Sequence, residues 1–567
     1  ATEGDGGSET HDRYRFLQGV VRRVALSALS RRERKRFHLA AADHLAEQEG
    51  DPERAGQLAG HLLAALEADP NAGDLAVIEA RAQTALRAAA ERSAAVGALA
   101  DALALFDRAA ELTTDEHERA GVFERAGLVA SRAGEGDAAA GRYRAAAELH
   151  AGAGREREQL AARAHELRSL QYARPPTELL PELRAVDRAL SDQDDHASAL
   201  AAATLAYTLY QLGRNEEALV VATRGVRIAE TCRDWGELLH ALGQQGAALA
   251  ELQRPDEAIA IYRRALDLAV IHEPRLVAVL CTNVSISLAS VGRYQEAAAG
   301  AREAIVAADR SAERMAERWA RLVLGRALCS LGDWDQAIAE IESVKDQIPT
   351  LAGMAFAPLV VIALGRGQEA LARELVAEHD RHRDESGASG LESDFRSLRT
   401  LVLTTDAVSL ARIVPEAEIS EFAEWTSWLP PIIDRLVAAL DTEPLEAALV
   451  SLRTTAAMKQ TAPVRAQAER LAGHLAARAG DHRRGDEAFA RAHQLAAECE
   501  LTFEAGVIGL ERLEQTGVGP DGGLASIRAT FSRLGAPAWL ERAQQADHGE
   551  PASAHSSSSR HQPHPTG

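Results

Sequence analysis

An internal repeat of about 40 residues is the feature that most constrains how this chain can fold. Four segments each contain a helix end, a short turn, an acidic or amide residue followed by alanine, and a second amphipathic helix; they span residues 209–229, 249–269, 288–308 and 328–344. The alanines after the turns are Ala218, Ala258, Ala297 and Ala337, spaced by 40, 39 and 40 residues. A fixed period of this size predicts stacked helical hairpins that bury their apolar faces against one another.

Glycine ends the first helix in three of the four segments. Gly213, Gly292 and Gly332 stand where a helix C terminus favours left-handed backbone, and Arg254-Pro255 replaces the glycine in the fourth segment. The small alanine five residues after each glycine lets the second helix cross close to the first. Weaker copies near residues 98–112, 130–149, 362–379 and 476–496 extend the prediction to roughly ten hairpins between residues 80 and 545. The stretches 174–183, 384–390 and 425–431 predict register breaks or hinges between sub-stacks.

Composition favours the same all-α class. Alanine, leucine, arginine and glutamate dominate and aromatic residues make up only 4%, as long, closely packed helices require. The four cysteines form no CxxC pair, so neither a zinc site nor a disulfide framework is indicated, and we expect reduced, buried thiols in a cytoplasmic protein; they are Cys232, Cys281, Cys329 and Cys499. No apolar stretch approaches the ~20 residues of a membrane span, and the first residues lack the order of a signal peptide.

Charge and motifs exclude several function classes. With 84 acidic against 63 basic residues and a net charge of -21, the chain repels a phosphate backbone, so no nucleic-acid partner is expected. None of the three lysines follows a glycine, which excludes a P-loop. The GxGxxG match at Gly517–Gly522 follows a helix rather than a strand, which favours a loop over a dinucleotide site. His379 and His382 permit a metal ligand pair, but a polar helix end explains them better. We therefore predict no catalytic site, cofactor or metal.

The repeat residues resemble the tetratricopeptide repeat. Gly246, Ala258, Tyr262 and Ala265 match its order of a small residue in the first helix, then alanine, an aromatic residue and alanine in the second. The resemblance implies an all-α, right-handed superhelical solenoid whose first helices line a concave groove for a peptide, protein or small effector. The polar candidates on that face are Tyr207, His240, Gln244, Asn283 and Arg326.

Asn283 stands where peptide-binding tetratricopeptide repeats often carry an asparagine that holds the backbone of a partner. The alternative is an asparagine that bonds a neighbouring helix of its own chain. Sequence alone leaves both open.

A basic run near the N terminus, SRRERKRF, contrasts with the acidic chain. Ser30 and Glu33 fit a capping box, which predicts a helix whose packing stripe is Phe37, Ala41 and Leu45. The other side of this helix carries a basic patch of Arg31, Arg32, Lys35 and Arg36. Such a face is most often solvated, and only the neighbouring sequence can indicate whether it instead contacts a partner.

The segment from residue 13 to about 110 resembles the junction between ATPase module and repeats in bacterial signal-transduction ATPases. It is most similar to proteins in which an adenylate/guanylate cyclase domain precedes an AAA-type ATPase and a tetratricopeptide tail. The matching residues include Tyr14, Phe16, Val20, Val21, Arg22, Val24, Ala25, Leu29, Ser30, Arg34, His38, Leu45, His61, Leu62 and Leu66. The resemblance implies that the basic patch faces an upstream ATPase module, and that this chain, which begins with alanine, is the C-terminal piece of a longer protein.

These observations together predict a regulatory or sensory interaction solenoid of a cyclase-linked signalling ATPase. The expected parts are a flexible start (1–12), a helical junction (13–79), tetratricopeptide-like repeats (80–383), further helical repeats with a cap (391–545) and a disordered tail (546–567). Two alternatives remain. Residues 531–543 also resemble the region before the DNA-binding domain of LuxR-type ATP-binding regulators, and a free-standing tetratricopeptide scaffold has the same repeats.

Overall fold

The computed structural model describes residues 28–47, 54–171, 173–252, 254–311, 313–347, 352–386, 392–404, 406–416, 425–439, 442–459, 461–519 and 522–547. These ranges contain 27 α-helices and two short 3-10 turns, and no strand occurs within them. Over the same ranges, no helix combines the length and the apolar character that crossing a membrane requires. The predicted flexible start and disordered tail, and the junction residues before Ala28, lie outside the described part.

The chain divides into two compact units, Ala1–Leu212 with Arg227–Cys232, and Gly213–Val226 with Arg233–Gly567. The first unit contains nine helices within the described ranges, each packed on the next. They are α1 (Arg31–Glu47), α2 (Arg54–Ala68), α3 (Leu75–Ala95), α4 (Leu99–Leu112), α5 (Glu116–Arg132), α6 (Gly136–Gly152), α7 (Glu156–Leu170), α8 (Pro176–Leu190) and α9 (His196–Gln211). Helix α10 (Asn215–Cys232) is divided between the units. Alanine supplies much of the first unit's core, which lets its helices lie close together.

The second unit continues with seventeen helices in the described ranges. They are α11 (Trp235–Glu251), α12 (Pro255–His272), α13 (Val277–Ser290), α14 (Tyr294–Ser311), α15 (Arg314–Leu331), α16 (Trp334–Glu342), α17 (Ala352–Gly365), α18 (Glu369–Ser386), α19 (Glu392–Leu403), α20 (Ala407–Glu416), α21 (Trp425–Ala438), α22 (Thr442–Lys459), α23 (Ala462–Arg478), α24 (His482–Glu498), α25 (Thr502–Thr516), α26 (Gly523–Leu534) and α27 (Pro537–Asp547). A continuous apolar core runs through α15–α23. The 3-10 turns are Pro274–Leu276 and Lys345–Gln347.

In four of the first helices a glycine packs on a large side chain sixteen residues later. A methyl group added at Gly246 would lie 2.7 Å from the ring of Tyr262, and Gly325 would clash in the same way with Ile341. Gly127 with Tyr143 and Gly473 with Phe489 repeat the pair in the outer hairpins. This shared register confirms the tetratricopeptide-like hairpin and the all-α class.

The predicted turns are also confirmed. Gly213, Gly292 and Gly332 adopt φ of 67°, 82° and 84°, the left-handed region that favours glycine. The four turn-following alanines are completely buried. Pro255 begins α12, where the missing N–H has no partner to lose.

Pro176 begins α8, Pro181 lies within its first turns, and 425–431 lies inside α21, so these prolines interrupt no described helix, and breaks between sub-stacks stay a prediction. Most of 384–390 lies outside the described residues. Two expectations are wrong. Phe37 is 49% exposed, and α1 instead packs through Ala42 and Leu39. Cys232 is exposed at the end of α10, whereas the other three thiols are buried.

Candidate binding face on the first helices

The repeat register gives each first helix three equivalent positions beside its small residue. They lie six and two residues before the small residue and one residue after it, a spacing of four and three that puts them on one face. In α11 this face carries His240 and Gln244, and in α13 it carries Val279, Asn283 and Ile286. In α15 it carries Trp319, Val323 and Arg326. The structure thus brings four of the five candidate residues onto equivalent faces of one unit.

Two amides occupy equivalent places on this face. Gln244 of α11 and Asn283 of α13 are each half-buried and stand two residues before the small position of their helix. Neither side chain makes a hydrogen bond within the part of the chain that the structure describes. Each amide offers both a donor and an acceptor, the pair of groups that an extended peptide backbone presents. The alternative of an Asn283 bond to a neighbouring helix has no counterpart among the described residues.

His240 and Arg326 stand at the two ends of this face and differ from the amides. His240 is exposed, Arg326 is half-buried, and both already interact with other groups of the protein. Arg326 lies one helical turn before Cys329, whose pKa burial raises to about 12 while the Arg326 charge opposes the rise. These two side chains therefore supply positive or titratable charge beside the neutral amides.

Four residues of the same face were not found from the sequence, and they are Val279, Ile286, Trp319 and Val323. Val279 is 45% exposed and stands one turn before Asn283, as His240 stands one turn before Gln244. Trp319 takes the equivalent place in α15, and its buried indole N–H has no acceptor among the described residues. The signal that reveals them is their repeat position, because neither a valine nor a tryptophan in a helix suggests a binding site by itself.

Tyr207 belongs to the first unit and is considered there. It lies on α9, half-buried, with its ring stacked on that of Tyr210 at a centroid distance of 6.4 Å. It stands one residue after Ala206, the position that Arg326 takes in its own repeat. Tyr207 stays a candidate by register alone.

The basic patch is divided by the fold. The capping box forms as expected, since the Glu33 amide donates to Ser30 Oγ at 3.3 Å and the Ser30 amide donates to Glu33 Oε2 at 2.9 Å. Lys35, however, is only 7% exposed and forms an ion pair with Asp74. Arg31, Arg32 and Arg36 stay exposed. The patch therefore consists of three arginines, and Lys35 holds α1 to the start of α3.

The His382 region contains three groups that could ligate a metal. Ligand atoms of Asp346, Glu378 and His382 lie within 4.8 Å of one another. The ammonium of Lys345 donates to Glu378 at 2.7 Å and lies 3.3 Å from Glu342. A cation would have to compete with this ammonium for Glu378, so the arrangement favours a structural ion cluster.

The GxGxxG segment lies between helices. Gly517 ends α25 in the left-handed region with φ of 74°, and Gly522 precedes α26 with φ of 92°. A dinucleotide loop needs a strand before it, and here a helix stands in that place. The prediction of a connecting loop fits these neighbours.

No family model matches the chain, and no curated protein matches it. Solved structures do match. The apo form of the quorum sensor NprR from B. thuringiensis is 13% identical over 55% of this chain and 86% of that one, with a TM-score of 0.40. A Rap protein complexed with competence and sporulation factor is 17% identical over 60% and 98%, with a TM-score of 0.48. A signal-transduction ATPase with a tetratricopeptide repeat sensor, from Pyrococcus horikoshii, is 12% identical over 65% and 55%, with a TM-score of 0.38. Likenesses this distant assign no function.

Proposed function

We propose that this chain is the regulatory, ligand-sensing arm of a signalling protein, and that it binds an extended peptide across the first helices α11, α13 and α15. One observation carries the proposal. Gln244 and Asn283 occupy equivalent repeat positions, and within the described residues neither side-chain amide donates or accepts a hydrogen bond. A half-buried amide without a hydrogen-bond partner in the protein loses part of its hydration and gains no bond in exchange. Hydrogen bonds to the backbone of a ligand would replace the lost hydration.

The surrounding side chains suggest the chemistry of the peptide. Val279 and Ile286 offer apolar contact beside Asn283, and the half-buried ring of Trp319 extends this apolar contact. Arg326 adds positive charge toward α15. A peptide with small or apolar side chains and an acidic group at one end complements this order. Binding would regulate the protein only through a difference in affinity between two conformations.

Selection from a random peptide display library against the purified chain tests this assignment. We expect enriched peptides that bind wild type and lose affinity about 5- to 150-fold in Asn283→Ala and Gln244→Ala, because each variant loses a hydrogen bond worth about 1–3 kcal/mol in the complex. The matched control is Gln295→Ala, which removes an exposed amide on the second helix α14. A library that yields no binder, or binders that all three variants retain equally, would refute the assignment.

We also propose that the arm belongs to a cytoplasmic signalling ATPase, cyclase-linked, in which the arginines of α1 contact the ATPase module. Support comes from the junction residues: His38 and His61, both part of the resemblance, lie with their Nδ1 atoms 3.0 Å apart. Arg31, Arg32 and Arg36 are exposed beside them, and guanidinium groups suit a nucleotide-dependent charged surface.

Three measurements test this second step. The coding sequence upstream of Ala1 should specify an ATPase module, and charge reversal of the three arginines in the parent protein should uncouple its ATPase rate from ligand. Unchanged coupling would exclude the contact. The chain alone should show no ATP hydrolysis by phosphate release, and turnover would mean that it holds a catalytic site.

A further inference from the structure

The last helices of the second unit meet the turns of much earlier repeats. Thr502, the first residue of α25, donates its hydroxyl to the Leu331 carbonyl at the end of α15, at 2.9 Å. In the other direction, Arg366 Nε donates to the Leu534 carbonyl at the end of α26, at 3.0 Å. Carbonyls at helix C termini have no acceptor role left inside their own helix. The two sets of turns therefore cap each other.

Helices α25–α27, here called the C-terminal clasp, have an aromatic core of their own. Phe503, Phe531 and Trp539 come one from each helix, and their ring centroids are 5.9 Å apart in every pair. Trp334, at the start of α16, adds a single ring contact from outside, 4.9 Å from Phe503. A segment with its own core can separate from its neighbours as one cooperative unit.

The main ionic link of the clasp is a buried guanidinium. Arg470 of α23 is 1% exposed and binds both carboxylate oxygens of Glu511 on α25 at 2.6 Å. The same guanidinium donates to Asp434 of α21, also at 2.6 Å. If the clasp opens, Glu511 leaves, but Arg470 keeps Asp434 as a one-to-one partner. Opening therefore avoids the large cost of an unpaired buried cation.

Glu504, in the first turn of α25, is the weak point of the closed arrangement. Its buried Oε2 accepts no hydrogen bond from the described residues, and its charge acts on the thiol of Cys329 of α15 and is influenced by Asp434 and Arg470. Burial raises the pKa of Glu504 to about 7, with Asp434 adding to the rise and Arg470 opposing it. The other titratable groups around this site are Arg326, His474, Glu511, Glu514 and Arg542.

We propose that the C-terminal clasp is a pH-gated closure, shut while Glu504 carries a proton and opening as one unit when Glu504 ionises. With Arg542 and His474 as the other basic groups nearby, ionisation places three carboxylates, those of Glu504, Glu511 and Asp434, in the neighbourhood of Arg470. Opening returns two of them to water. Because the closed clasp raises the pKa of Glu504 above the ordinary carboxyl value, closure is favoured at low pH and weakens as pH rises through about 7.

Hydrogen exchange of the full chain at pH 6 and pH 8, followed by mass spectrometry and corrected for the intrinsic pH dependence of exchange, measures the opening. With a carboxyl pKa of 4.5 when open and about 7 when closed, the opening constant of residues 502–547 should rise about tenfold between the two pH values. Trp334, buried at the joint, should become more accessible to a fluorescence quencher in parallel.

Two variants of equal charge change identify the group. Glu504→Gln keeps the side chain neutral and should make the opening constant independent of pH, whereas Glu541→Gln, at an exposed site of α27, should retain the tenfold rise. The proposal is overturned if the wild type shows no rise, if Glu504→Gln retains it, or if residues 502–547 exchange only together with α13 and α14.

Discussion

The close approach of Gly246 to Tyr262 allows a sharp test of the repeat register. Gly246→Ala introduces a methyl group 2.7 Å from Tyr262 Cε1 and Cζ, below any ordinary carbon contact. Gly243→Ala, one turn earlier in the same helix, has no heavy atom within 4 Å of its new methyl group. Both variants gain the same helix propensity, about 1 kcal/mol, so the difference between them isolates the clash.

The magnitude follows from the burial of the aromatic ring. Tyr262 is 4% exposed and has no free volume to enter, and overpacking of this kind costs about 1–3 kcal/mol. We therefore expect Gly243→Ala to be stabilised by up to about 1 kcal/mol and Gly246→Ala to be less stable than it by about 1–3 kcal/mol. Urea unfolding with tryptophan fluorescence measures both midpoints, provided that the slope of the transition is unchanged.

A third variant distinguishes the clash from any other effect at residue 246. In a Tyr262→Leu background the ring is absent, so adding Gly246→Ala should cost at least about 1 kcal/mol less than in wild type. If Gly246→Ala is as stable as Gly243→Ala, or if the cost persists without the ring, the small-to-large register deduced for the hairpins is wrong.

Three further outcomes follow from single contacts. Arg470→Met removes the guanidinium shared by the buried Glu511 and the half-buried Asp434 and should cost about 3–5 kcal/mol in urea unfolding, more than Glu511→Gln, which leaves Arg470 paired with Asp434; equal costs would contradict the charge count. Ser30→Ala removes the capping box and should weaken α1 by about 1 kcal/mol, visible as faster amide exchange in its first turn. The Arg157 hydrogen bond lowers the pKa of Asp195 to about 2 from 3.8, so the stabilisation is complete above pH 4 and lost as pH falls toward 2. The melting temperature of Asp195→Asn should accordingly approach that of wild type over this range, and a constant gap would contradict the pair.

Sequence predicted the parts of the fold that depend on neighbours within one hairpin. Gly332 and the capping box of Ser30 follow from local backbone chemistry, and the buried alanines follow from the 40-residue period. The packing side of α1 did not follow, because it depends on Asp74, 39 residues from Lys35. A lysine can bury its stem when a carboxylate meets its end, and no local pattern reveals that partner.

The contacts that join helices α25–α27 to the earlier repeats could not be predicted either, because their partners lie even farther away in the sequence. Thr502 is 171 residues from Leu331, and Arg366 is 168 residues from Leu534. Threonine at a helix start and arginine near a helix end have ordinary local explanations as caps and solvated charges. Only the folded chain shows that each serves a carbonyl in a distant repeat.

The candidate face was partly predictable because a repeat protein separates two kinds of position. Positions that hold a hairpin together must recur as small residues, and they are glycine where the partner is a large side chain such as Tyr262 or Ile341. Positions that face a ligand have no reason to recur, since each contacts a different part of it. His240, Val279 and Trp319 take the same place in three successive first helices and share no chemistry. The repeat period therefore locates the candidate face. The residues on that face that differ from repeat to repeat determine which ligand it would bind.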